Sequence, residues 1–436
     1  SALRNVVMAG DTAIGGASPW NPVANVNRWD IRAVSTSSTN GCSLSTGGRP
    51  FKLVKTGGNQ ISLVAVCVDT NLGDIDIQQG LMGWETVTSG MGNPASNIIV
   101  RAGATLSFFN ATTPWNKHFV LFGDGGHTNL YNWSGANVIV GPVQLNGNCV
   151  FWGGGTSLAL YNSVSGTGSL VKSGTYLLYL AVTNTYSGNT LINAGTLVLT
   201  NNGSIGASPV VTINAGATLD AGQRSDGTFT VYAGQTLAGA GTVNGNGVVS
   251  AGATIAPGSG IGTMTFNNNL VLRGTTAMEI DKASTTNDMV RVTGSLTYGG
   301  TLVVTNVSAN GFSAGDSFKL FNAASYNGVF TNIIPAIPAL NLGWATNTLT
   351  NGFLGVVARP TPRPKVGSVQ WSGNNLVMTA TNGTAGWPVR LLASTNAALP
   401  LTNWTVIASN LFDANGNLNI TNAAGPAPQF YLLQLP

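Results

Sequence analysis

Apolar and polar positions alternate in short runs along most of the chain, and Gly, Asn or Ser breaks each run before a helical period can develop. In "TLVLT", Leu197 and Leu199 are assigned to one face and Thr196, Val198 and Thr200 to the other, the period of two that marks a β-strand. The runs also repeat. Ala-Gly-x-Thr-Leu or a near variant begins at Ala102, Ala194, Ala215, Ala233 and Ala251, and the last four copies start 21, 18 and 18 residues apart. A longer unit, "LVKTGGNQISLVAV" from Leu53, returns as "LVKSGTYLLYLAV" from Leu170, each with a Lys before a Gly turn.

A period near 20 built from short strands suits a solenoid, in which one coil cannot bury its own apolar face and must stack on its neighbours. No window offers an amphipathic helix, because Gly interrupts every candidate. The predicted fold is all-β: a right-handed parallel β-helix solenoid followed by a small C-terminal β-sandwich. The irregular passage "NATTPWNKHFVLFGDGGHTNLYNWSG" is expected to bulge out as loops.

Composition explains the choice of residues. Only 7% of the 436 residues are charged, against about 25% in an average soluble domain. Coils of a β-helix stack about 4.8 Å apart, so equivalent side chains lie above one another and like charges would repel along the stack. Thr, Asn and Ser avoid that cost, Gly takes the positive-φ corners, and Leu and Ile fill the bore. The net charge of +4 is spread thinly, without the basic face that a nucleic-acid partner requires. No apolar run reaches the length of a membrane-spanning helix.

The unit from Ser169 to Gly206 closely resembles the autotransporter-associated β-strand repeat. The matching residues are Lys172, Gly174, Tyr186, Ser187, Gly188, Thr190, Ala194, Gly195, Thr196 and Leu197. The resemblance implies a secreted or surface-exposed parallel β-helix over roughly Arg49 to Phe330. An autotransporter passenger is followed by a membrane β-barrel, whereas about 75 residues follow the expected solenoid here. In that respect the chain looks more like repeat-bearing extracellular proteins of Verrucomicrobia-type bacteria. Its start, "SALRNVV", reads as a mature end after removal of a signal peptide.

The expected organisation is strands or a cap of the solenoid over 1–48, the β-helix over 49–357, a Pro-rich linker over 358–366 and the sandwich module over 367–436. An open β-helix end is a sheet edge that invites another strand. The functional expectation is therefore an extracellular structural protein that self-assembles head to tail, with a further copy of itself and surface glycans as candidate partners. A monomeric adhesin and a polysaccharide-degrading enzyme are the alternatives.

Candidate chemistry is sparse, and neither a catalytic site nor a cofactor is expected. Asp74 and Asp76 in "GDIDIQQG", and Glu279, Asp281, Lys282 and Asp288 in "EIDKASTTND", are the best carboxylate clusters for acid–base work. His118 and His127 flank Asp124, a pattern open to a metal or to a solvated loop. Asp413, Asn415 and Asn417 resemble the start of a Ca²⁺ loop but lack its late Glu, and Asn-Gly also signals a hairpin. Trp371, Trp387 and Trp404 are candidates for stacking on sugars or for the core of the module. Cys42 and Cys67 are a candidate disulfide, with Cys149 left as a buried thiol; three buried free thiols are the alternative.

Overall fold

The computed structural model describes residues 2–19, 27–359, 364–423 and 429–435, so part of the expected Pro-rich linker lies outside the described residues. Among the described residues, nearly every regular element is a strand, and the helical elements are two short 3₁₀ turns, Thr346–Asn351 and Leu401–Asn403.

The first unit, residues 1–312 with 317–336 and 345–355, is a parallel β-solenoid. Its strands pair coil on coil. Ser169–Lys172 pairs with Thr190–Ile192, that strand with Val210–Ile213, and that with Thr236–Gly239, all in parallel register. A second ladder starts with Ala136–Ile139 and runs through nine strands to Phe321–Asn322. Stacking places like on like: Leu178, Leu197, Leu219, Val243 and Phe266 form one continuous inward column, all essentially inaccessible to solvent. Each such side chain contributes about 1.5–3 kcal/mol by burial. Thr196, Thr218, Thr242 and Thr265 form the neighbouring outward column, a stack of hydroxyls where acids would repel.

The inside/outside assignment of "TLVLT" is correct for Leu197 and Leu199, but Val198 is also buried. It sits between Tyr179 and Asp220 on the adjacent coils, whose side chains flank it on the outer face.

Segment 1–48 contributes strands to the same stack. Ala2–Leu3 pairs with Arg28–Arg32, and Arg28–Arg32 with Gln60–Val64; Asn5–Val7 and Thr12–Gly15 pair likewise with Ser43–Ser45 and Leu53–Thr56. These strands are the first coils of the solenoid. Most of the passage expected to form loops is also strand: His118–Ser134 pairs on both sides, because Phe119, Leu121 and Leu130 face the bore, while its register with the next coil breaks between Asp124 and Thr128 and residues 110–117 lie outside any strand.

The second unit comprises 313–316, 337–344 and 356–436. The two short segments, expected within the β-helix, group here because Gly315 donates to the Val356 carbonyl, Val356 to that of Asp316, and Arg359 to that of Asn341. Two antiparallel sheets make up the C-terminal module. One contains Lys365–Ser372, Asn375–Thr381 and Leu418–Ala423; the other contains Thr405–Leu411, Pro388–Ser394 and Phe430–Gln434. They enclose a small core of Leu376, Met378, Val389, Leu391, Phe412 and Ile420, as expected for a small sandwich.

Candidate functional site

The repeat signature has a mechanical meaning that begins with Lys172. Its side chain is wholly buried, and its ammonium donates to the carbonyls of Gly174, 2.8 Å away in its own coil, and Ala194, 2.9 Å away in the next. The Tyr176 ring lies 4.0 Å from the same nitrogen. Gly174 and Gly195 hold φ near +79° and +67°, and a Cβ on either would run into the backbone of the preceding coil. Each turn thus aims its carbonyl inward, and the lysine satisfies it.

The same device appears twice more. Lys55 donates to the carbonyls of Thr56, Gly57 and Gln79, and Lys117 to those of Gly73 and Asn93 and to the Ser96 hydroxyl. Burial pushes the Lys172 ammonium down to about 7 and those of Lys55 and Lys117 to about 8, against carbonyl bonds that favour the charge. A second signature pair, Tyr186 and Thr190, shares a hydrogen bond of 2.6 Å, and Thr190 donates on to Ser208 of the next coil at 3.0 Å.

Of the carboxylate candidates, Asp74, Asp76, Asp281 and Asp288 are occupied by structural bonds. Asp76 is almost inaccessible and accepts from Lys52 Nζ at 3.0 Å and Arg101 Nε at 3.0 Å. Burial alone would raise its carboxyl, but the bonds from Arg101 and Lys52 outweigh it and hold the group below its usual range. Asp74 accepts from the Asn97 amide. Asp288 accepts from the amides of Gly262 and Glu279, and burial pushes it up to about 6. Asp281 caps its turn through the amides of Ala283 and Ser284, and Lys282 reaches the Gly311 carbonyl.

His127 Nδ1 lies 2.7 Å from Asp124, whose other oxygen accepts from the amides of Gly126 and His127. The His127 bond pulls the Asp124 carboxyl down to about 2. His118 stands at the head of the strand opposite Asn97. Among the described residues, no group of three or more His, Cys, Asp or Glu gathers as metal ligands. In the C-terminal turn, Asp413 Oδ1 accepts from the amides of Asn415 and Asn417 at 2.9 and 2.8 Å, the geometry of a closed hairpin turn.

Cys42 and Cys67 are not joined, which corrects the disulfide expectation, and Cys149 is also free. Cys67 pairs in register with Ser43, so Cys42, one residue earlier, faces the bore while Cys67 faces solvent. Trp387 packs on the module core, Trp404 donates to the Leu399 carbonyl, and Trp371 is exposed.

Sequence reading missed an aromatic shelf on the outer face of the solenoid. Tyr131 and Trp152 are register partners on adjacent coils, with ring centres 4.9 Å apart. Trp133 stacks on Tyr131 at 5.3 Å, 13° from parallel, and Phe109 meets Trp133 edge-on. Beside this shelf runs a groove of about 600 Å³. The signal was in the sequence: "LYNW" and "FWGG" set Tyr131 and Trp152 21 residues apart, one repeat period.

No family model matches the chain. A stretch of 103 residues, 24% of the chain, is 32% identical to the protein described as "Adhesin BmaC autotransporter" from Brucella suis biovar 1 (strain 1330). The match spans only 2% of that protein's length. Among the described residues, no helix is long and apolar enough to cross a membrane. The parallel solenoid and this similarity together fit a β-helix of the autotransporter-passenger type.

Proposed function

We propose that this chain is an extracellular, cell-surface solenoid with a structural, adhesin-like role, and that it self-associates head to tail through its first coil. One observation carries the proposal. Among the described residues, Ala2–Leu3, Asn5–Val7 and Thr12–Gly15 are each paired on one side only. The opposite edge presents unpaired amides and carbonyls in strand geometry, a template for a further strand. Leu3 and Val7 on these strands are 52% and 73% exposed. An end that receives a different end of the next copy makes a heterologous contact, which propagates as a filament.

Support for the surface location comes from the similarity to the Brucella adhesin. That similarity also favours a second reading, a monomeric adhesin. A non-enzymatic role is supported by the engagement of Asp76, Asp281 and Asp288 in bonds that hold the fold. The rival polysaccharide-degrading activity predicts reducing ends or unsaturated products from a panel of acidic and neutral polysaccharides, lost in Asp74→Asn; we expect no product.

Sedimentation of the full chain over a wide concentration range tests self-association. The expected outcome is a mass that grows with concentration in the wild type and stays at one chain in Val7→Lys, which sets a charge on the exposed edge. A wild type that remains a single chain throughout would overturn self-association and favour the monomeric adhesin.

A further inference from the structure

We infer that the groove beside Tyr131 and Trp152 is a binding site for a neutral saccharide. The inference goes with the adhesin-like side of the function proposed above and does not require self-association; binding and assembly are read by separate measurements.

The shelf is built into the coil register. Tyr131 is held between Trp133 and Trp152, so its ring is positioned before any ligand arrives, and Trp152 remains 41% exposed. Gly80, Gly103 and Gly126 line the groove with bare backbone, leaving room for a ring to approach the aromatic side. A volume of about 600 Å³ lies in the range typical of small-ligand sites, roughly 300–1,000 Å³.

The polar groups set the class of ligand. Among the described residues, neither the Tyr131 hydroxyl, the Trp152 indole N–H, the Thr128 hydroxyl nor His127 Nε2 has a protein partner, and all four residues line the groove. Among the described residues, His127 is the only ionisable lining residue besides the phenol of Tyr131, and its Nδ1 is already bonded to Asp124. Among the described residues, the groove therefore offers flat apolar faces edged by hydroxyl, indole and imidazole groups, without the Lys or Arg side chains an acidic polymer would need. A pyranose ring has the matching character: one face of C–H groups to lie on an aromatic ring, and a rim of hydroxyls to exchange hydrogen bonds. An apolar peptide would leave the four polar groups unmet, at a cost to its binding.

The test is titration of the full chain with neutral probes (maltose, cellobiose, mannobiose and diacetylchitobiose, then their longer oligomers), read by tryptophan fluorescence and saturation-transfer NMR. At least one series is expected to bind, with affinity falling roughly tenfold or more in Trp152→Ala and unchanged in Tyr161→Ala, an exposed aromatic outside the groove. Thr128→Val, which removes one hydroxyl and keeps the shape, is expected to weaken the same ligand several-fold, and it decides the matter if Trp152→Ala does not fold. Absence of binding to every neutral probe would overturn the inference. So would binding that Trp152→Ala and Thr128→Val leave unchanged, or preferential binding of an acidic polysaccharide that fades with salt. If glycan binding fails while sedimentation still shows assembly, the saccharide site falls and the self-association proposal stands.

Discussion

The ammonium of Lys172 donates to the carbonyl of Ala194, 22 residues further along the chain and one coil further along the stack, at 2.9 Å. A residue that would normally be the most solvated in the repeat is a rivet between coils. Its other acceptor, Gly174, belongs to its own turn, so one side chain ties together two successive corners of the bore.

Lys172→Met should therefore destabilise the solenoid by about 2–4 kcal/mol, because the thioether fills the same space but leaves two inward carbonyls without a donor. Arg291→Met, at an exposed position, should change stability by less than about 0.5 kcal/mol. Urea denaturation of the two variants beside wild type makes the comparison, and equal effects would remove the rivet from the account.

The buried lysines also fix a pH dependence. Their folded values, about 7 for Lys172 and about 8 for Lys55 and Lys117, lie below the ordinary 10.5. Between those values the unfolded chain holds protons that the folded chain does not, so stability rises with pH through that window. Burial raises the hydroxyls of Tyr176, Tyr186 and Tyr298, which has the opposite sign above pH ~10. The midpoint of urea unfolding should increase from pH 7 to about 10 and fall above about 10.5, once the tyrosine contribution outweighs that of the lysines. Lys172→Met should flatten the rise.

Leu197→Asp should prevent folding or cost more than about 4 kcal/mol, since it buries an unpaired carboxylate in a column of Leu178, Leu197 and Leu219. Thr196→Asp, one position away on the outward threonine column, should cost about 1 kcal/mol or less. Similar thermal midpoints for the two would mean that the inside and outside of this coil are exchanged.

The thiols give an inexpensive check on the first coils. Titration of the folded protein should find one reactive group, Cys67, and titration in denaturant should find three. A single thiol in denaturant would mean that Cys42 and Cys67 are bridged after all.

The solenoid was legible because its period is written in the sequence: Ala-Gly-x-Thr-Leu recurs at coil spacing, and alternation within each copy marks the inward Leu. The role of Lys172 was not, although the residue stood in the signature, since a Lys beside Gly reads as an exposed turn until the inward carbonyls are seen. Asp76 looked available in "GDIDIQQG" because its neutralising partners, Lys52 and Arg101, lie 24 and 25 residues away, one coil to either side. Contacts at coil spacing are the ones a search along the chain passes over. The pairing of Tyr131 with Trp152 went unseen for the same reason, in a stretch whose Gly and Asn content masked its strand.

Electron microscopy of the full chain at rising concentration tests the central functional claim most directly. The account predicts filaments of constant width that grow by end-to-end addition, with strands stacked at about 4.8 Å across each junction as within each copy, and their loss in Val7→Lys. Isolated particles at every concentration, or filaments that Val7→Lys leaves intact, would contradict it.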